Sequence, residues 1–223
     1  MKSGSPTYER HHGRRPVSTP TFRPPVDDSE ELARAEVYGL LSALFIAAPS
    51  EGLYGQLQVA VTEAPAAGAF LETAFGALVE ASRRVPLAAV REEYDALFMG
   101  IGKPEVFLYA SYFIAGSLNE TPLVALRDEL RALGLERDPA LFVTEDHIAC
   151  LCEVMRFLIA GDDLGVSNLA TQQRFFNAHL RGWAEALWEA LEMHPQSDFY
   201  RAVASLARDF FSVEAQAFDM LDG

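Results

Sequence analysis

The sequence predicts an all-α protein, a single-domain helical bundle, on three observations. Apolar residues recur at spacings of three and four through most of the chain. The periodic stretches are bounded by Ser, Thr, Asp, Pro and Gly at the places where helices start and stop. No stretch alternates apolar and polar residues convincingly enough to form a strand.

Residues 1–26 have no repeating apolar face and carry five Pro among Gly, Ser, Thr and basic residues, so they read as a disordered leader. The helical domain spans 27–221. Its first helix has Asp28 or Ser29 as cap and keeps Leu32, Val37, Leu40, Leu41, Leu44 and Phe45 at helical intervals until Pro49 and Ser50 end it. Ser50 caps a short second helix to about Val61, and Pro65 opens a third with the weaker stripe Phe70, Ala74, Leu78 and Val85. Pro86 suits the first turn of a fourth, in which Leu87, Val90, Tyr94 and Leu97 face inward and which Gly100 and Gly102 break. The GIGKPEVFLYASYF stretch that follows has no clear period. Its G-x-G-K fragment lacks the glycine spacing, the Ser or Thr and the preceding strand of a phosphate loop. Thr121 and Pro122 open a helix carrying Leu123, Leu126, Leu130 and Leu133, with Gly134 as its C-cap.

The helix expected from Thr144 to Ala160 organises the chain. Thr144 is its expected cap, and Glu145 and Asp146 place negative charge in its first turn. At 100° per residue the apolar side chains sweep a wide arc from Cys152 and Ile159 through Leu158 and Val154 back to Cys150 and Phe157. Only Glu145, Arg156 and Glu153 form a polar strip. Such an arc belongs to a helix surrounded by others, with His147 in its middle and Asp146 near its edge. A long helix is expected from Ser167 to His194, and a last one capped by Ser197 and Asp198 with the stripe Phe199, Val203, Leu206, Phe210 and Val213.

Composition excludes several function classes. A net charge of −14 disfavours binding to nucleic-acid phosphates and favours basic partners. Cys150 and Cys152, one residue apart on a helix, point about 200° from each other, which does not suit a disulfide and fits a reducing compartment. No apolar run is long enough to cross a membrane, and Arg14-Arg15 is not followed by an apolar h-region, so the protein is expected in the cytoplasm. The chain has no HExxH, CxxC, GxSxG or dinucleotide-type fingerprint. Its one Glu-x-x-His match, Glu9 to His12, lies in the leader. No metal, no cofactor and no enzymatic activity are expected.

The blocks EEYDALF (Glu92 to Phe98), LYASYF (Leu108 to Phe113) and EDHI (Glu145 to Ile148), followed by an apolar helix, resemble the TorD/DmsD/NarJ family across roughly residues 30–215. That family consists of cytoplasmic chaperones for molybdenum-cofactor oxidoreductases. The resemblance implies a TorD-like bundle that binds the leader or N-terminal segment of an apo-molybdopterin oxidoreductase catalytic subunit and assists cofactor insertion before assembly or twin-arginine export. It implies a client-peptide groove at Tyr109, Ser111, Asp146 and His147, with Tyr94 and Glu93 as supporting candidates, and a monomer or a helix-exchanged dimer. An acidic site beside an aromatic groove complements a basic, apolar leader. The alternative is an acidic helical adaptor or regulatory protein that binds a basic partner without recognising a leader.

Overall fold

The computed structural model describes residues 28–60, 71–100 and 102–221. The expected leader, the end of the second helix at Val61 and the helix start at Pro65 lie outside the described residues.

Ten α-helices follow one another among the described residues: α1 Asp28–Ile46, α2 Glu51–Val59, α3 Glu72–Arg84, α4 Leu87–Tyr94, α5 Ala110–Ala115, α6 Thr121–Ala132, α7 Ile148–Ala160, α8 Leu169–His179, α9 Ala184–Met193 and α10 Phe199–Asp219. No strand occurs among the described residues. Several boundaries follow the local chemistry. Ser50 Oγ accepts the Leu53 N–H at 3.2 Å to start α2, and Pro122 sits in the first turn of α6. Gly134, at φ +72°, lets the Leu135 N–H reach back to the Leu130 carbonyl at 2.9 Å and close the end of α6.

α1 and α7 form the most extensive helix pair, close enough that a Cβ at Gly39 would stand 3.0 Å from the Arg156 side chain. α10 packs on α3, α4 and α9; its Tyr200, Phe211 and Phe218 meet Phe45, Trp188 and Phe176, and its Phe199 and Phe210 meet Tyr54 and Tyr38, in an aromatic core. One buried ion pair crosses this core. Arg34 grips Glu214 with two nitrogens, at 2.7 and 2.9 Å, and the Tyr38 hydroxyl donates to the same carboxylate at 3.0 Å.

Three expectations are corrected. α4 does not stop at Gly100 directly but widens into a π-helical turn over Asp95–Met99, closed by Gly100 N–H to the Asp95 carbonyl at 3.1 Å. Gly100 has φ +31°, and a Cβ there would lie 2.2 Å from the Lys103 carbonyl oxygen, so the G-x-G-K turn folds onto its own backbone. The stretch expected as one helix from Ser167 to His194 is two. Asn168, not Ser167, caps α8 by accepting the Thr171 N–H at 3.0 Å. The chain then breaks between His179 and Ala184, because the Trp183 indole N–H takes the His179 carbonyl at 2.6 Å that its own backbone N–H would need in a continuing helix. Trp183 thereby stacks on Phe113 of α5, with ring centroids 5.5 Å apart. Finally, α10 is not capped by Ser197 or Asp198 side chains. Glu93 of α4 accepts the N–H groups of Asp198, Phe199 and Tyr200 at 2.8, 3.0 and 2.8 Å and caps the helix from across the bundle.

Candidate functional site

The central helix begins at Ile148, four residues later than Thr144, and the displaced segment holds the candidate site. Residues 108–110 and 146–148 run antiparallel as a single β-bridge. Ala110 N–H donates to the Asp146 carbonyl at 3.0 Å and Ile148 N–H to the Leu108 carbonyl at 2.8 Å. These bonds hold His147 extended, at φ −66° and ψ 137°, and make it the cap of α7, its Nδ1 accepting the Ala149 N–H at 3.2 Å. In the neutral ring that acceptor leaves the proton on Nε2.

Extended backbone sends neighbouring side chains to opposite sides, so Asp146 and His147 diverge. The Asp146 carboxylate turns to α5, where Oδ2 accepts the Ser111 N–H at 3.0 Å and a short bond from the Ser111 hydroxyl. Its Oδ1 accepts the Thr144 hydroxyl at 2.6 Å, so Thr144 serves Asp146 rather than a helix end. His147 instead meets Tyr109 edge to face, with ring centroids 4.9 Å apart. Ser111, Asp146 and His147 are buried and Tyr109 is half-buried.

Burial sets the electrostatics here. It pushes the His147 imidazole down to about 4, only partly opposed by the Asp146 charge, so the ring is neutral near pH 7. Burial also raises the Tyr109 phenol, and Asp146 and Cys150 add to that. Behind it, Tyr94 is pushed up to about 12 by burial, then by Tyr109 and Asp95, and its hydroxyl donates to the Phe45 carbonyl at 3.2 Å. Cys150 is raised to about 11, first by burial, so it is a neutral thiol.

The structure thus brings Tyr109, Ser111, Asp146 and His147 together and sets Tyr94 beneath them. Glu93 is apart, both oxygens engaged at the start of α10.

Asp146 lines a cavity of about 240 Å³ between α5, α6 and α8, with Ile114, Pro122, Leu126 and Leu151 as apolar walls. Glu129 and His179 form its far end, His179 Nε2 lying 2.7 Å from Glu129 Oε2, while Arg174 donates to Oε1 at 3.1 Å. Sequence reading does not reach Glu129 and His179, because they are 50 residues apart and share no motif. The donors to Asp146 are neutral: a backbone N–H and two hydroxyls. Among the described residues no ion pair includes Asp146, whereas Glu129, Glu145 and Glu214 each pair with an arginine. A larger recess, about 550 Å³, lies between α1 and α10, but the charged pair at its base, Arg34–Glu214, is already mutually satisfied.

The family described as nitrate reductase delta subunit matches residues 64–189. A protein named chaperone protein TorD from Vibrio cholerae is 28% identical over 207 residues, covering 84% of this chain and 93% of its own. The chaperone protein TorD of Colwellia psychrerythraea is 22% identical over 222 residues, covering 84% and 92%. A crystal structure of a candidate redox enzyme maturation protein from Archaeoglobus fulgidus aligns with a TM-score of 0.47 at 17% identity, over 93% of this chain and all of the other.

Proposed function

This chain belongs to the nitrate reductase delta subunit family, which includes the TorD and NarJ proteins, and from that premise we propose that it is a cytoplasmic, non-enzymatic maturation chaperone. Its client is the catalytic subunit of an apo-molybdopterin oxidoreductase. It binds the leader or N-terminal segment of that subunit and keeps it available for cofactor insertion before assembly or twin-arginine export. The chaperone itself holds no cofactor.

The observation that carries this reading is Asp146, a buried acidic side chain that lines a cavity and has no cationic partner among the described residues. A guanidinium or ammonium group entering between α5, α6 and α8 meets Asp146 on one side and Glu129 on the other. The apolar walls exclude water and strengthen that attraction. Tyr109 and His147 present a neutral aromatic edge on the opposite side of the same turn. Ser111 and Thr144 hold the carboxylate in place before any client arrives.

Asp146→Asn tests this. Asn keeps the shape, and the Thr144 hydroxyl can turn to accept from the new amide, so the fold survives while the charge is lost. Titration with a synthetic peptide bearing two adjacent arginines before an apolar run should show at least about tenfold weaker binding at low salt and a flatter salt dependence. Unchanged affinity in a variant with an unchanged melting curve would remove Asp146 from the site and favour the acidic adaptor.

A further inference from the structure

The recess of about 550 Å³ between α1 and α10 has apolar walls. Val37, Leu71, Leu169, Val213, Ala217 and Leu221 line it, and Leu169 and Leu221 at its edge are 44% and 51% exposed. Its deep charges are spent on one another. Glu214 receives Arg34 through both oxygens, and the Arg34 guanidinium lies 5.7 Å from the Phe218 ring centroid. An occupant therefore meets apolar surface over an ion pair that is already complete.

The mouth is acidic. Glu30 and Glu31, in the first turn of α1, stand at it, and among the described residues neither belongs to an ion pair. Asp28, where α1 begins, is two residues before Glu30, so the chain ahead of it enters at this mouth. That part of the chain is basic, with five Lys or Arg against two acidic residues, in a protein that has 32 acidic against 18 basic overall. It ends in Phe22-Arg23-Pro24-Pro25-Val26, two apolar side chains flanking a guanidinium and two prolines. Prolines favour extended backbone and have no N–H, so such a stretch crosses apolar surface with fewer donors left unpaired. The lengths agree, since α1 rises about 14 Å from Asp28 to Val37 and the six residues from Phe22 reach up to about 20 Å. A segment tethered at the edge of its site also has a high effective concentration, which a separate partner lacks.

We propose that residues 22–27 of this chain turn back along α1 and close the recess, with Phe22 and Val26 inside it and Arg23 reaching the carboxylates of Glu30 and Glu31. The segment then clasps α1, α10 and the start of α8 from outside and covers the exposed Leu169 and Leu221. This docking does not depend on the client-binding reading and uses a different surface.

Chymotrypsin cleavage of the full chain after Phe22 tests this, with cleavage after Tyr8 in the same segment as the reference. A seated Phe22 is withheld from the protease, so cleavage there tracks the population of the undocked segment. Leu169→Gln and Leu221→Gln alter exposed residues at the edge of the recess, and melting curves check that both variants fold. Each should speed cleavage after Phe22 by about fivefold and leave cleavage after Tyr8 unchanged, because lost apolar contact raises that population. Glu30→Gln combined with Glu31→Gln should give a smaller increase and remove the acceleration that added salt produces in the parent chain. Equal rates after Phe22 in the parent chain and in both leucine variants would overturn the proposal and leave the recess to residues 61–70, just ahead of Leu71, or to a separate partner. A rate after Phe22 that falls as the chain is concentrated would also overturn it, assigning the recess to Phe22 of a second copy.

Discussion

Glu93 and Asp146 are both buried carboxylates that cap a helix from a distant part of the chain, yet they leave their surroundings in opposite states. Glu93 spends both oxygens on three backbone N–H groups of α10 and sits close to Tyr54 and Tyr200. Asp146 receives one backbone N–H and two hydroxyls at the short helix α5 and borders a cavity. The backbone cannot give up its bonds without unravelling a helix, whereas hydroxyl groups can rotate to new partners. The first carboxylate is therefore committed to the fold, and the second is held mainly by hydroxyls beside a cavity, as the proposed client site requires.

The largest effect expected on that comparison comes from Glu93→Ala. It leaves three N–H groups at the start of a 21-residue helix without acceptors, those of Phe199 and Tyr200 buried and that of Asp198 partly buried, at a cost of about 3 kcal/mol or more. Denaturant unfolding should show this as a lower midpoint. Glu93→Gln should recover part of the loss by keeping one acceptor oxygen. Binding of the arginine-bearing peptide, measured under conditions where Glu93→Gln is folded, should match the parent chain. A selective loss of peptide affinity with stability intact would place Glu93 in the client site and erase the distinction.

A second expectation uses pH, because the Asp146 corner holds a titratable neighbour and the Glu93 corner is closed by backbone. The His147 imidazole lies near 4 in the folded chain, lowered first by burial, against an ordinary value near 6.5. The folded state thus favours the neutral ring, and the unfolded state takes up a proton between those two values. This contribution is fully present above about pH 6.5 and is lost as pH falls toward about 4, amounting to about 2 kcal/mol between pH 7 and pH 5. Glu145 and Asp198 are lowered carboxylates, and their effects enter only as pH falls below the ordinary carboxylate range. His147→Asn keeps a side chain able to cap α7 and removes the titration. Its stability should be flatter than the parent's from pH 7 to pH 5, and an equal slope would assign the loss to another group.

What was legible in the sequence divides along the same line between local and remote partners. Ser50, Pro122 and Gly134 mark helix ends through atoms within a few residues of themselves, and the structure places those ends where the sequence does. Thr144 and Asp198 have equally good capping chemistry and do not cap, because Asp146 claims the Thr144 hydroxyl and Arg84 holds the Asp198 carboxylate at 2.7 Å. The family resemblance supplied Tyr109, Ser111, Asp146 and His147 as a group, and the β-bridge that joins them depends on pairing 38 residues apart, which no periodicity expresses. Glu129 and His179 became neighbours only through the packing of α6 against α8, and the break at Trp183 rests on one indole N–H reaching its own helix.

The smallest expected effect calibrates the comparison, because Asn168 is a cap of the ordinary local kind. Its Oδ1 accepts the Thr171 N–H at 3.0 Å and the Thr171 hydroxyl at 3.2 Å, and the side chain is half-buried at the start of α8. Asn168→Ala should cost about 1 kcal/mol, since water can reach the freed first-turn N–H groups and replace part of what is lost. Water has no such access to the N–H groups of Phe199 and Tyr200 at the start of α10, both fully buried. If the remote cap acted only as an ordinary cap moved to another helix, Glu93→Ala and Asn168→Ala would lower the denaturation midpoint equally. A loss at Glu93 about three times that at Asn168, measured on both variants under one set of conditions, assigns the difference to burial and to the number of donors rather than to capping itself.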